Sequence, residues 1–290
     1  MGRAIESRQP TPGLPPKGDA MRSEAAPNQG AVVADAAGRS WSLQHLPWPE
    51  VGRILARDPR LILPVGALVQ HGPHLPLGSN TFIAERVAEA VSRRCGILLA
   101  PTFGYGVWNP GKESYAGSTG LERKTLHRAL NELLAKWEDH GIQEFILLTA
   151  YQHEPHLDAL LMAMTSSALT TVVNLFSIDA RDLLAGSPLS EHGGELETSL
   201  MLHLAPTWVQ PDQATDVAPD PRTYRRYAQG RVATPPPGSR GVLGFPSRAS
   251  SEKGKAVFTR YVESLTEVLS NEPSPARRGI SSGGTQANPR

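Results

Sequence analysis

Residues 60–94 read RLILPVGALVQHGPHLPLGSNTFIAERVAEAVSRR, and the order of patterns inside that stretch decides the fold. An apolar run from Arg60 to Ala67 is followed by a loop dense in Gly, Pro and His. From Thr81 to Arg94, Phe82, Ala84, Val87, Ala88 and Val91 then recur at helical spacing. Strand, loop and helix make the first half of a βαβ unit. The same alternation continues outward, with strand candidates at Gly96 to Ala100 (GILLA), Glu144 to Ala150 (EFILLTA) and Thr170 to Ser177 (TTVVNLFS). Each is short and apolar on both faces, as a buried central strand must be. Helical periodicity spans Gly120 to His140, where Leu126, Leu130, Leu133, Leu134 and Trp137 form one stripe and Gly141 supplies a stop. Further helices are predicted over His156 to Ala168, Gly194 to Leu204 and Glu252 to Leu269. The pattern predicts an α/β chain, a three-layer α/β/α sandwich on a mainly parallel central sheet. In such sheets ligands sit beyond the carboxyl ends of the strands, so the residues just after each strand carry the functional reading.

The 290 residues are 39% hydrophobic, with 29 basic against 28 acidic side chains and a single cysteine, Cys95. A net charge of +1 gives no electrostatic footprint for nucleic acid, and one cysteine forbids a disulfide framework or a Cys-cluster zinc site. No run approaches the roughly 20 apolar residues of a membrane span, and residues 1–30 lack the apolar centre of a secretory signal, so a cytoplasmic protein is expected. Gly and Pro concentrate in three zones without apolar periodicity. They predict disordered tails at 1–39 and 271–290 around a single domain at 40–270. Within that domain, residues 210–246 form a Pro-rich surface excursion, either an intersubunit arm, a lid or plain irregular surface.

Three segments hold chemistry-bearing side chains. The loop Gln70 to Asn80 packs His71 and His74 among prolines and glycines, a stiff backbone suited to holding imidazoles in place. A solvated turn is the plainer alternative. After the third strand comes Tyr151-Gln152-His153-Glu154-Pro155-His156. It is not a zincin helix, because the second histidine falls at i+3 and Pro155 interrupts it. The run Glu191 to Leu202 (EHGGELETSLML) turns a loop into a helix whose early carboxylates could be helix-start residues alone, or could join His192 in a cleft.

Taken together, the loop HGPHLPLGSN, the segment Pro101 to Gly106 with Tyr115-Ala116-Gly117-Ser118, and the run HGGELETSLML closely resemble the creatininase (creatinine amidohydrolase) family over roughly Leu61 to Val209. That resemblance implies an α/β/α fold, a homo-oligomer that is usually a hexamer, and two divalent metals activating a water to open an amide or cyclic amide bond. It would make His192 a substrate-binding or catalytic residue, Glu195 a metal ligand and Glu197 the second carboxylate of the motif.

The departures from the family pattern are as informative as the match. Val69 stands at a ligand Glu, Asn80 at the bridging Asp and Tyr151 at a ligand His, and the Glu-His pair expected near Trp108 to Lys112 is missing. Two divalent ions would then face one matched carboxylate, Glu195, which under-compensates their charge. The expectation is therefore a degenerate site with no metal. Were one Zn, Mn or Fe bound, His71, Glu195 and His153 would hold it. His192, Glu195, Tyr151, His153 and Glu154 are the expected catalytic acid/base groups, and His71, His74, Asn80, Tyr105, Trp108 and Glu197 the expected substrate lining. The function expected is an enzyme of specialised metabolism or peptide maturation that acts on a small amide-containing, cyclic or peptide-amide substrate, with no nucleic-acid or membrane partner. A mononuclear metal-dependent amidohydrolase and a catalytically inactive scaffold or partner subunit stand beside it.

Overall fold

The computed structural model describes residues 41–108, 115–185, 191–218, 220–231 and 238–271. A parallel four-stranded sheet forms its middle, in the order β2-β1-β3-β4, from β1 (Arg60–Pro64), β2 (Leu98–Leu99), β3 (Glu144–Thr149) and β4 (Leu169–Asn174). Register runs Leu61↔Leu98 on one side of β1 and Ile62↔Ile146 on the other. Period-two alternation sorts the strand side chains between two cores. Leu61, Leu63, Phe145 and Leu147 face α1 (Trp48–Leu55), α3 (Arg123–Asp139) and α4 (Glu154–Leu161), whereas Ile62, Ile146 and Leu148 face α2 (Ser79–Cys95), α5 (Glu195–Leu204) and α7 (Ser251–Asn271). Two helical layers cover one sheet, the expected three-layer sandwich. Along α2 the stripe Ile83, Ala84, Val87, Ala88 and Val91 is fully buried. Each large apolar side chain so placed contributes about 1.5–3 kcal/mol. The helix ends at Gly96, whose φ of 69° is the left-handed cap that glycine adopts without a Cβ penalty.

Two expectations change on the structure. The fourth strand is an edge, not a central strand, and Leu169 on it is 50% exposed. The fourth helix begins earlier and ends at Leu161 rather than Ala168. Pro155 suits the first turn of a helix, which moves the start. At the other end the Glu138 carboxylate captures the backbone N–H groups of Ser166, Ser167 and Ala168 and draws the chain out of helix. Of the described residues in the excursion at 210–246, most from 210 to 226 are exposed, whereas Tyr227, Ala228, Val242 and Leu243 are buried. The excursion holds α6 (Pro221–Ala228), and its Leu243 and Gly244 pair in antiparallel bridges with His192 and Val217. Residues 1–39, the tail beyond Asn271 and the segment 109–114 lie outside the described residues. None of the described helices is long and apolar enough to cross a membrane.

Sheet order decides where a site can form. The crossover after β1 runs to β2 on one side, while β3 and β4 lie on the other, so the order reverses between β1 and β3. The crevice outside the carboxyl ends of these two strands is where such sheets bind ligands. It is where the His-rich loop and the Tyr151 segment both emerge.

Candidate functional site at the carboxyl ends of β1 and β3

His71 is fully buried, with Nδ1 2.8 Å from the Val69 carbonyl and Nε2 2.6 Å from Asn80 Oδ1. The orientation of the Asn80 amide follows from its other contacts. Its Nδ2 donates to the Ala150 carbonyl at 2.6 Å and to Glu197 Oε1 at 2.9 Å, which leaves Oδ1 as the atom facing His71. Both imidazole nitrogens therefore face oxygen atoms. Glu197 Oε1 lies 3.5 Å from His71 Nε2, and Glu197 Oε2 accepts the Gly193 N–H at 2.5 Å. Burial alone would raise the Glu197 carboxyl, but His71, His192 and the Gly193 N–H outweigh it and hold it down to about 2. The result is a buried contact between His71 and an ionised Glu197, braced by an asparagine.

His192 sits against this pair, its ring centroid 4.7 Å from that of His71. Its Nε2 lies 2.8 Å from the Gln70 carbonyl and 3.0 Å from the Tyr227 hydroxyl, and its backbone exchanges two 2.8 Å hydrogen bonds with Leu243. Gln70 is clamped in turn, donating from Nε2 to the Gly241 carbonyl at 3.1 Å and accepting the Gly72 N–H at 2.8 Å. Burial pulls His192 down to about 4, so it is neutral at pH 7. The turn that joins His192 to α5 needs Gly193. Its φ is 62°, and a Cβ there would lie 2.7 Å from the His71 carbonyl oxygen.

Across the crevice, Tyr151 stacks on His153 with centroids 5.3 Å apart and planes 17° from parallel, and Trp108 packs with Val69 against it. The apolar Val69 thus belongs to the wall behind Tyr151. Burial raises the Tyr151 phenol, which keeps it a hydrogen-bond donor at neutral pH. His153 is 7% exposed and its Nδ1 has no hydrogen-bond partner among the described residues. Burial pulls it down to about 4, leaving a bare neutral nitrogen. His156 belongs to the framework. Its Nδ1 accepts from the Val107 N–H at 3.2 Å and its Nε2 lies 3.1 Å from Thr149 Oγ1. His74 is framework too, its Nε2 3.0 Å from Thr198 Oγ1.

The structure thus brings together His71, Asn80, His192, Glu197, Tyr151 and His153, and separates others expected with them. Glu195 points away from His71. Its Oε1 pairs with Lys253 Nζ at 2.5 Å and accepts the Ala185 N–H at 2.9 Å, so the set His71, Glu195 and His153 is not a common ligand set. The physical reason is helical spacing, since residues two apart on α5 lie on nearly opposite faces. Glu197 took the cleft face and Glu195 the other. Glu154 is exposed at the start of α4, and Tyr105 is 53% exposed on its loop. Gln70 and Tyr227 were absent from the sequence expectations. Tyr227 reaches His192 across 35 residues, for which no local pattern exists.

The family's sequence model, described as creatinine amidohydrolase, matches residues 44–269, and the chain belongs to the creatininase family. A creatinine amidohydrolase of Pseudomonas putida is 28% identical over 254 residues, covering 80% of this chain and 96% of that protein. A mycofactocin precursor peptide peptidase of Mycobacterium ulcerans is 31% identical over 233 residues, covering 75% and 87%. A solved mutant creatininase of Zn-Zn type superposes with a TM-score of 0.68 at 25% identity, covering 82% of this chain and all of that one.

A dinuclear centre does not fit these residues. The trio His71, His192 and Glu197 places one donor atom each within 4.8 Å of one another, a set with a single negative charge. Two divalent ions would be poorly compensated there. One ion would suit the donor types, two imidazoles and a carboxylate. Yet Glu197 already accepts from Asn80 and Gly193, and His71 already faces Asn80, so the donors are joined to one another.

Proposed function

We propose that this protein acts on an amide C–N bond of a small, cyclic or peptide-amide substrate by acid/base chemistry of its own side chains. One observation carries the reading: the buried, unpartnered Nδ1 of His153 beside Tyr151 at the mouth of β3. A buried polar atom left unpaired costs about 1–3 kcal/mol, and a ligand that supplies the missing N–H or O–H recovers it. His153 then takes a proton from a water as its oxygen adds to the carbonyl carbon, the Tyr151 phenol donates a hydrogen bond to the carbonyl oxygen, and the proton on His153 passes to the departing nitrogen as the C–N bond breaks. The His71–Glu197 pair supplies a fixed field under the substrate, and His192 is held in place by Tyr227 and Gln70. Relatives named for amide and peptide hydrolysis support the bond class.

A second reading rests on the trio. One divalent ion held by His71, His192 and Glu197 would supply an activated water. The two readings separate in one assay, product analysis by liquid chromatography and mass spectrometry with creatinine and a panel of short peptides, with and without chelator. The acid/base reading expects turnover that survives chelator and falls by about 10²-fold or more in Tyr151→Phe and His153→Gln. Turnover abolished by chelator and restored by Zn or Mn overturns it in favour of the metal. No turnover of any substrate overturns both.

A further inference from the structure

Helix α6 is two-faced. Tyr227 and Ala228 are buried, and the Tyr227 hydroxyl reaches His192, while Arg222, Arg225, Arg226 and, just past the helix, Arg231 are exposed. With Pro221 and Gln229 these four guanidiniums line a concavity of about 460 Å³ with no carboxylate among the described residues of its wall. Residues 221–237 contain no Asp or Glu at all. The preceding acid, Asp220, caps the helix, its Oδ2 accepting from Thr223 N at 2.8 Å and Thr223 Oγ1 at 2.7 Å. Among the described residues none of the four arginines is in an ion pair.

This arrangement works against the helix. Like charges at i,i+3 and i,i+4, here Arg222 with Arg225 and with Arg226, destabilise a helix by a few tenths of a kcal/mol each. A helix of eight residues has little stability of its own to offset them. An external anion relieves that repulsion. Arginine forks match carboxylates in bidentate geometry, and four of them, from Arg222 to Arg231, in the wall of one concavity offer a seat to several carboxylates of one segment. The patch also lies only one helix thickness, about 10 Å, from the Tyr227 to His192 contact, a span of roughly three extended residues.

We infer that this concavity binds the carboxylates of an acidic peptide segment, and that α6 thereby selects substrates carrying acidic residues a few positions from the amide acted upon. The inference rests on the amide-directed reading of the crevice. Its test is fluorescence anisotropy of the full chain with a labelled glutamate-rich peptide, a lysine-rich control, and inorganic phosphate as competitor. The acidic peptide is expected to bind, to weaken as salt rises, and to lose affinity about tenfold or more in the triple variant Arg222→Ala, Arg225→Ala, Arg226→Ala. Alanine favours helix at each position, so an unchanged thermal unfolding midpoint shows that the loss is not one of folding. Equal binding by the triple variant, or displacement by phosphate at concentrations equal to the peptide's, overturns the inference. Binding without any processing of the peptide leaves the patch standing and overturns the amide reading instead.

Discussion

In the presence of chelator the Asn80→Asp variant is expected to unfold roughly 10 °C below the parent at pH 7.5. Asn80 donates from one nitrogen to Glu197 and to the Ala150 carbonyl, both within 2.9 Å, in a fully buried position. An aspartate there loses both donated bonds and sets a carboxylate against a carboxylate that is already ionised. Breaking a buried charged network of this kind costs about 3–5 kcal/mol. Added Zn or Mn is expected to recover part of the loss in the variant while leaving the parent unchanged, because the second carboxylate restores charge that a divalent ion can balance. Thermal unfolding followed by circular dichroism decides it. A variant as stable as the parent in chelator would show that the Asn80 to Glu197 bond does not brace the site.

The second large effect is acid lability well above the carboxylate range. His74 and His153 are each pulled down to about 4 and His156 to about 3, in every case first by burial. A histidine whose folded pKa is depressed takes up its proton first in the unfolded chain. Its contribution is complete above about pH 6.5 and is lost as the pH falls from there toward the folded value. Each unit of depression corresponds to about 1.4 kcal/mol, so three such groups remove several kcal/mol by pH 4.5 from a typical total of about 5–15 kcal/mol. Glu197, held down to about 2, adds its own loss only below about pH 4.3. Urea unfolding at pH 7.5, 6.5, 5.5 and 4.5 should show stability flat above the first step and falling steadily below it. His156→Gln, which can keep one donor and one acceptor, should flatten the slope. A midpoint constant from pH 7.5 to 4.5 would contradict the burial of these rings as neutral species.

Much of the architecture could be read before any coordinates. The runs at Arg60, Glu144 and Gly96 alternate their contacts between two cores, and the two loops after β1 and β3 meet where the strand order reverses. What escaped was governed by contacts distant in sequence. Glu138 shortens α4 from 28 residues away, and Tyr227 reaches His192 from an excursion with no periodicity of its own. The choice between Glu195 and Glu197 was open to sequence reasoning, because two positions apart on a helix cannot share a face. Lys253 on α7 pairs with the one that turned away from His71, itself buried. Asn80 and Val69 could be seen as lost ligands, but the wall that Val69 builds behind Tyr151 and the His71–Glu197 contact that Asn80 braces are visible only in three dimensions.

The proposal at the centre of this account is that His71 and an ionised Glu197, bridged by Asn80, serve as they stand, joined to one another and without a metal. Elemental mass spectrometry of protein purified without an affinity tag, before and after dialysis against Zn or Mn, tests it most directly. The account predicts well under one equivalent of any divalent metal per chain in both samples. One tightly held equivalent per chain, lost together with its ligands in Glu197→Gln, would contradict it and place a metal on His71, His192 and Glu197.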